Sequence, residues 1–393
     1  MAVAAVAFGV MALIFANSFV EWILWATRET TIHFQLGHVQ LTKKGYLDHG
    51  ASNTFAYLIP ESDPAREILK HLDHVRVVAP RLSFSGLVSH GDATVSFLGE
   101  GVVPEQEFAI HREDRLSRSA VNIVVGEDLS QAEPQSIIMG EGLAANMGVK
   151  IGDTVTLVAN TSSGGINAVE VRIRGIFSTI SKAFDDSALR VPRSTAQALL
   201  RVSGDHRLVV LLDQTARTDE VLTRLHQQLD GLTVEATPWY ALSDFYNKTA
   251  ALFAKQTAVV KFIIAVIIAL SIANTLMMSV MERTGEIGTS MALGVSRARI
   301  LVQFLLEGGL LGIFGGIVGI IAGVLGARLI SVIGIPMPPP PGQSWGYSAE
   351  MLVTGAIVAD GFVLAVISSL LASVYPAWKA SRLEIVNALR FNR

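Results

Sequence analysis

Four long runs of apolar residues divide the chain, and each is long enough to cross a membrane as a helix. The runs cover residues 1–27, 250–281, 300–334 and 351–375, and charged positions are rare within them. A bilayer core of about 30 Å requires about 20 apolar residues in helical conformation. The pattern therefore predicts four transmembrane helices, with Trp22 and Trp25 at the interfacial end of the first.

The region from residue 28 to residue 249 has a different pattern. Val169, Val171 and Ile173 alternate with charged residues, which predicts a strand with one solvated face. A second strand and several short helices are predicted at Thr154–Val158, Pro64–Leu72, Arg193–Leu200, within Gly140–Asp153 and after Thr218. The sequence thus predicts a large α+β domain inserted between helix 1 and helix 2, built as one domain or as two lobes.

Lysine and arginine in the short loops predict the side of the membrane on which each segment lies. The connector at 282–299 and the tail at 376–393 are basic, whereas the loop at 335–350, which contains Pro338–Pro341, has no basic residue. By the positive-inside rule the connector and tail are cytoplasmic, and the proline-rich loop and the large domain are extracytoplasmic. We expect Lys379–Arg390 to form a short amphipathic helix.

The composition agrees with membrane helices joined to a water-soluble domain. The 393 residues are 50% hydrophobic and only 17% charged. The net charge of −3, without a basic run, gives no basis for nucleic-acid binding. The absence of cysteine excludes disulfides, thiolate catalysis and cysteine–metal sites.

Motifs typical of catalytic and metal sites are missing from the sequence. It contains no G-x-x-x-x-G-K-[ST] phosphate loop, no H-E-x-x-H and no G-x-S-x-G. Its nine histidines show no spacing typical of metal ligands. We therefore expect no catalytic residue and no metal site in this chain, and no ATP hydrolysis by the chain itself.

The third apolar run contains two ladders of glycines at four-residue intervals. Small residues at this spacing allow helix backbones to approach closely in lipid. The pattern predicts a tightly packed seam and leaves open whether the partner helix belongs to the same subunit. The ladders consist of Gly308, Gly312 and Gly316, and of Gly315, Gly319 and Gly323.

Polar residues inside the apolar runs are candidates for helix–helix contacts. Asp360 lies within the fourth run, where a charge is costly unless it meets a partner or a wet cavity. Arg328, near the outer end of the preceding antiparallel helix, is the hypothesised partner, and the alternative is that Asp360 faces a wet seam. Asn274 in the second run predicts a helix–helix hydrogen bond.

The charged segment Met281–Ile300, with the sequence MERTGEIGTSMALGVSRARI, lies between the second and third runs. It is too short to be a domain, but it can form a compact helix parallel to the membrane. Such a helix suits docking of a partner at the membrane surface. The alternative, a solvated connector, fits the pattern equally well.

Several stretches resemble the FtsX/MacB-type permeases of ATP-binding-cassette (ABC) systems, which include the lipoprotein-releasing LolC/LolE proteins. The connector and the C-terminal end are similar to this family in ERTGEIGTSMALGVSRARILVQFLLEGG and YPAWKASRLEIVNALR. The family's extracytoplasmic core resembles GEGLAANMGVKIGDTVTL and VRIRGIFSTISKAFDDSALRVPRSTAQALL. The stretch QLGHVQLTKKGY resembles the LolC/LolE branch. The chain departs from the family at its N-terminus, where a cytoplasmic lead-in helix is usual, and it lacks the ATPase domain fused to MacB.

The resemblance implies a four-helix permease of the bacterial inner membrane, with its large domain in the periplasm. It implies two copies, or two homologues, in a complex with a cytoplasmic ATPase dimer that binds ATP and Mg²⁺, while this chain binds no cofactor. The residues implied to form the coupling helix that docks into the ATPase are Arg283, Glu286, Ile287, Gly288, Met291, Ala292, Leu293 and Gly294.

Two functions are consistent with this resemblance. In the first, the permease extracts or exports lipoproteins or other amphipathic cargo by mechanotransmission, in contact with membrane lipid and with a periplasmic acceptor or adaptor. In the second, it is an FtsX-like transmitter that activates a periplasmic enzyme without moving cargo. A membrane-anchored enzyme is a third, less favoured class, because the catalytic motifs are missing.

Overall fold

Four apolar helices long enough to span a membrane form the first part of the fold. The computed structural model describes residues 2–50, 53–111, 121–179, 181–338 and 347–384. The helices are α1 (Ala2–Thr31), α10 (Asp244–Glu282), α12 (Arg297–Ile333) and α13 (Gly355–Ser381). The predicted fold class, four transmembrane helices with an α+β domain between the first and second, is confirmed.

The ends of these helices differ from the predicted ones. Helix α10 begins six residues before residue 250, and α13 continues to Ser381 instead of ending at Tyr375. Pro376 lies inside α13, and transmembrane helices tolerate proline because neighbouring groups satisfy the freed backbone carbonyl. A separate tail helix starting at residue 376 or 379 is therefore wrong. The rest of the predicted tail helix, residues 385–393, lies outside the described residues.

The connections between these helices contain short elements of their own. Helix α11 (Thr284–Ala292) joins α10 to α12. Strands β11 (Ile335–Met337) and β12 (Tyr347–Ala349) pair in the predicted proline-rich loop, whose residues 339–346 lie outside the described part.

The inserted domain, residues 26–247, is built on one mixed sheet. Its strands run in the order β10-β1-β9-β2-β3-β8-β5-β7-β4, and β6 pairs with β2 and β7. The strands are β1 (Val39–Lys43), β2 (Val75–His90), β3 (Ala93–Val102), β4 (Val121–Gly126), β5 (Ser136–Gly140), β6 (Thr154–Asn160), β7 (Ile166–Thr179), β8 (Ala188–Pro192), β9 (Arg207–Leu212) and β10 (Val234–Pro238).

Short helices cover this sheet. They are α2 (Tyr46–His49), α3 (Pro64–His71), α4 (Pro104–His111), α5 (Glu141–Met147), α6 (Lys182–Asp185), α7 (Arg193–Leu200), α8 (Thr218–Gln228) and α9 (Trp239–Leu242). The pattern predicts α3, α5, α7, β6 and β7 at these places because each has a clear local signal. Asp63, for example, caps α3 by accepting a hydrogen bond from the Ala65 N–H at 2.9 Å.

The two largest of four hydrophobic clusters in the inserted domain lie on this single sheet, which bears on the question of one domain or two lobes. One cluster packs α5 and α7 on the strands around Leu157 and Ile173. The other packs α3 and α8 on the strands around Leu41 and Val210. Both clusters share one sheet, so the domain is a single unit with two main cores.

A buried ion cluster fixes α4 to the sheet. Arg81 is 1% exposed and donates hydrogen bonds to Glu107 at 2.8 and 3.0 Å. Glu100 accepts a hydrogen bond from Arg207 at 2.7 Å, and Arg190 lies 3.6 Å from it. Burial alone would raise the pKa of Glu100. The positive charges of Arg81, Arg190 and Arg207 outweigh this effect and hold the pKa below its usual value.

Candidate functional site

Helix α11 connects the membrane helices α10 and α12, and local hydrogen bonds stabilise both of its ends. At its start, the Thr284 hydroxyl donates to the Val280 carbonyl of α10 at 2.8 Å. Arg283 donates to Glu286 at 3.2 Å and lies 3.8 Å from Glu307 of α12. Glu307 was not among the predicted site residues, because it lies beyond the connector.

The end of α11 is a Schellman turn that requires glycine. Gly294 has a φ of +97°, in the region that side chains disfavour. Its N–H donates to the Met291 carbonyl at 3.1 Å, and the Val295 N–H donates to the Ser290 carbonyl at 3.1 Å. The turn reverses the chain immediately after α11 and presents Leu293 at the tip.

The eight predicted docking residues divide into two groups. Ile287, Gly288 and Met291 are buried within the chain, on the inner face of α11. Ile287 and Met291 anchor the helix in a hydrophobic cluster with Val280, Ile300, Phe304, Ala377 and Ala380, which come from α10, α12 and α13. A displacement of α11 therefore acts on the ends of three membrane helices at once.

The other predicted residues form an exposed surface. Glu286, Ala292, Leu293 and Gly294 are exposed, and Arg283 is partly exposed. Leu293 is 83% exposed, the second most exposed of the large apolar side chains in the described residues. Glu286 and Leu293 are thus the charged and the large apolar side chain of this exposed surface.

The two glycine ladders of α12 contact two different helices of the same chain. A Cβ atom at Gly308 or Gly312 would lie 2.5–2.6 Å from serine Cβ atoms of α13, and Phe362 of α13 lies near Gly316. The other ladder faces α1: Cβ atoms at Gly315, Gly319 and Gly323 would lie 2.6–2.9 Å from atoms of Val6, Ala7 and Ile14. At the five positions other than Gly316 these distances leave no space for a side chain, so glycine permits the close approach there.

The predicted Asp360–Arg328 pair is wrong, because Asp360 accepts a hydrogen bond from Lys261 of α10. Side chains two positions apart on a helix point about 200° apart. Since Phe362 packs near Gly316 of α12, Asp360 points away from α12, on which Arg328 lies. Sequence reasoning overlooked Lys261, one of two lysines in the second apolar run.

A chain of hydrogen bonds in the inserted domain links the end of α1 to the sheet. His38 Nδ1 accepts from the Leu212 N–H at 3.0 Å, so Nε2 carries the proton and donates to the Thr215 hydroxyl at 3.0 Å. That hydroxyl in turn donates to the Glu29 carboxylate at 3.3 Å. Burial lowers the pKa of His38 to about 4, which keeps the ring neutral. Within the described ranges, no three His, Asp or Glu side chains form a group suited to a metal ion.

Two family models match the chain. A model described as MacB-like periplasmic core domain matches residues 1–228, which is more than half of the sequence. A model described as FtsX-like permease C-terminal matches residues 258–385, which include α11 and most of α10.

Curated relatives cover most of the chain. It is 24% identical over 334 residues to the lipoprotein-releasing system transmembrane protein LolC of Xylella fastidiosa, covering 80% of this chain and 77% of the relative. It is 25% identical over 368 residues to the macrolide export ATP-binding/permease protein MacB of a Shewanella species, covering 88% of this chain and 50% of that protein.

Two solved structures are similar to about half of the chain. The periplasmic region of MacB from Actinobacillus actinomycetemcomitans is 14% identical, with a TM-score of 0.38, over 54% of this chain and 93% of that one. The extracellular domain of the transporter YknZ from Gram-positive bacteria is 11% identical, with a TM-score of 0.36, over 51% of this chain and 98% of that one.

Proposed function

This chain belongs to the family of ABC transporter permeases that combine a MacB-like periplasmic core domain with an FtsX-like C-terminal domain, and we propose that it is the membrane subunit of a system driven by a separate ATPase. In this proposal an ATPase dimer binds ATP and Mg²⁺ and docks on the exposed surface of α11. A second copy or a homologue of this chain completes the complex in the bacterial inner membrane.

The observation that carries the proposal is the two-faced character of α11. Its inner face is fixed by Ile287 and Met291 to three membrane helices, while Glu286 and Leu293 point outward. A partner bound to the outer face would move the inner face as well. The hydrophobic cluster around Ile287 and Met291 is closely packed and has low compressibility, so it passes the displacement on to the membrane helices. The absence of a phosphate loop in this sequence agrees with nucleotide binding by another chain.

The proposed movement reaches the periplasmic domain through the long helices and acts on cargo there. Helix α10 has 39 residues, about 58 Å at the rise of an α-helix, so it extends well beyond a bilayer core of about 30 Å. We propose an amphipathic cargo such as a lipoprotein, received by a periplasmic acceptor. The similarity to a relative named as part of a lipoprotein-releasing system supports this choice.

The test is copurification from native membranes. Tagged protein is extracted in detergent, and the eluate is assayed for ATP hydrolysis and analysed by mass spectrometry. The wild-type chain is expected to bring down an ATPase subunit. Glu286→Lys and Leu293→Asp are expected to reduce copurified ATPase at least tenfold, because each removes a side chain that α11 exposes.

A matched control separates docking from a general effect of charge. Glu170→Lys makes the same charge change at an exposed position of β7, and it is expected to retain the ATPase. If the wild-type chain copurifies with no ATPase, or if all three variants behave alike, the proposal fails. Recovery of a periplasmic enzyme in place of lipoproteins would support the signal-transmitter function instead.

A further inference from the structure

Helix α10 is attached to the other membrane helices along one narrow row. Its buried side chains recur at four-residue intervals and are Ile264, Ile268, Ile272, Leu276 and Val280. The opposite side of α10 carries a second apolar row that nothing in the described chain covers. The members of this second row are Ile263, Ile267, Leu270, Met278 and Met281, and each is 50–67% exposed.

A polar side chain interrupts the exposed row at its centre. Asn274 lies four residues after Leu270 and four before Met278, so the three side chains share one face. Its side chain is exposed and makes no hydrogen bond to any residue that the structure describes. The residue lies about 12 Å along the helix from Glu282, within the apolar part of α10. Lipid tails offer no hydrogen-bond partner to this amide.

The hydrogen-bonding groups of the Asn274 side chain indicate which kind of group can pair with it. A carboxamide carries both donors and acceptors, so it is complementary to a second carboxamide. Two copies of one chain in the same membrane have the same orientation, and a two-fold axis along the membrane normal brings equal residues together at equal depth. The row has steps of 4-3-4-4-3 residues, which average about 3.6, so its members follow one face along the whole length of the helix.

We propose that this face of α10, from Ile263 to Met281, is the surface on which two copies of the chain pack, with the Asn274 amides of the two copies hydrogen-bonded at its centre. The inference deepens the proposed function, since it names the surface used by the second subunit. It does not require that an ATPase docks on α11.

Single-cysteine cross-linking in native membranes tests the surface, because the chain contains no cysteine. Cysteine at Ile267, Leu270, Asn274 or Met278 is expected to give disulfide-linked dimers on oxidation. Cysteine at Ala269 or Ala273 is the control, because each lies at nearly the same depth as Leu270 or Asn274 but about 100° away around the helix. Repeating the Leu270 experiment with Glu286→Lys separates the two proposals, because loss of ATPase docking leaves this cross-link unchanged.

The role of the amide is tested by energy transfer between labelled copies of the full chain in liposomes. Asn274→Leu is expected to weaken self-association about five- to thirtyfold, and Asn274→Gln is expected to retain it. Equal cross-linking of the Ala269 and Leu270 variants, or its absence throughout the row, would overturn the proposed surface. Cross-links formed only to a different chain would overturn the choice of a second copy. Undiminished association of Asn274→Leu would overturn the hydrogen bond.

Discussion

Two buried histidines of the inserted domain are held in one tautomer by the backbone. His38 Nδ1 accepts from the Leu212 N–H, and His206 Nδ1 accepts from the Ser83 N–H at 3.2 Å. The other nitrogen of His206 donates to the Thr54 carbonyl at 3.1 Å. Protonation of either Nδ1 would place two N–H groups against each other. Burial lowers the pKa of each ring to about 4, from an ordinary value of 6.5.

These pKa values predict that mild acid destabilises the folded domain. Between pH 6.5 and 4 the unfolded chain binds protons that the folded rings do not, so stability falls as the pH falls through this range. From pH 7 to pH 5 each histidine contributes a loss of about 2 kcal/mol. The measurement is thermal unfolding of the purified protein at the two pH values, followed by tryptophan fluorescence.

A variant without one of these rings checks the cause of the acid effect. His38→Gln is less stable at pH 7, but its amide does not titrate, so about half of the loss between pH 7 and pH 5 should disappear. Unfolding that does not depend on pH, or an unchanged loss in the variant, would contradict the assignment.

Hydrogen bonds and ion pairs between residues distant in sequence could not be predicted from the sequence. The link from Glu29 through Thr215 to His38 joins positions up to 186 residues apart, and no local pattern indicates it. Lys261 shows the same limit within the membrane. Asp360 is recognisable as a residue that needs a partner, but the rotation of α13 decides which helix supplies it.

At the level of elements, the glycine ladders predict that a larger side chain destabilises the protein on the packed face of α12 but not on its exposed face. Gly319→Val would place its side chain against the Ala7 carbonyl, where even a Cβ atom would lie at 2.6 Å. We expect a destabilisation of about 1–3 kcal/mol from this overpacking. The measurement is the midpoint of thermal unfolding in detergent.

Ala322→Val is the matched control for this substitution. It adds two carbons to the same helix at an exposed position and should change stability by less than about 0.5 kcal/mol. If the two variants lose equal stability, the contact between α12 and α1 does not depend on glycine.

Elements with local signals were predictable, whereas their arrangement was not. The alternation in β7 predicted that strand, and the helix predicted at Arg193–Leu200 matches α7 in its bounds. The order of the ten strands depends on pairings such as β1 with β10, which join residues about 200 positions apart. The continuation of α13 through Pro376 was missed because proline usually ends a helix in water, a rule that is weaker among packed membrane helices.

For the whole molecule, the basic residues of the connector predict opposite sides for α11 and the large domain. Cysteine at Ser163, exposed between β6 and β7, should react with an impermeant maleimide added to spheroplasts. Cysteine at Thr289, exposed on α11, should react only after the membrane is permeabilised. The reverse pattern would invert the topology, and labelling of both in intact spheroplasts would contradict the placement of α11 inside the cell.

The membrane helices also differ in how firmly they are joined. Helix α12 meets α1 and α13 through glycines, where the closeness of the backbones leaves no side chain free to rearrange. Helix α10 meets its neighbours through a row of isoleucine and leucine side chains, which can slide by small rotamer changes. The bundle is therefore a stiff block of three helices with one softer joint. Elastic deformation within the membrane will concentrate at α10, and the stiffness of that joint will set how far the helix shifts for a given force.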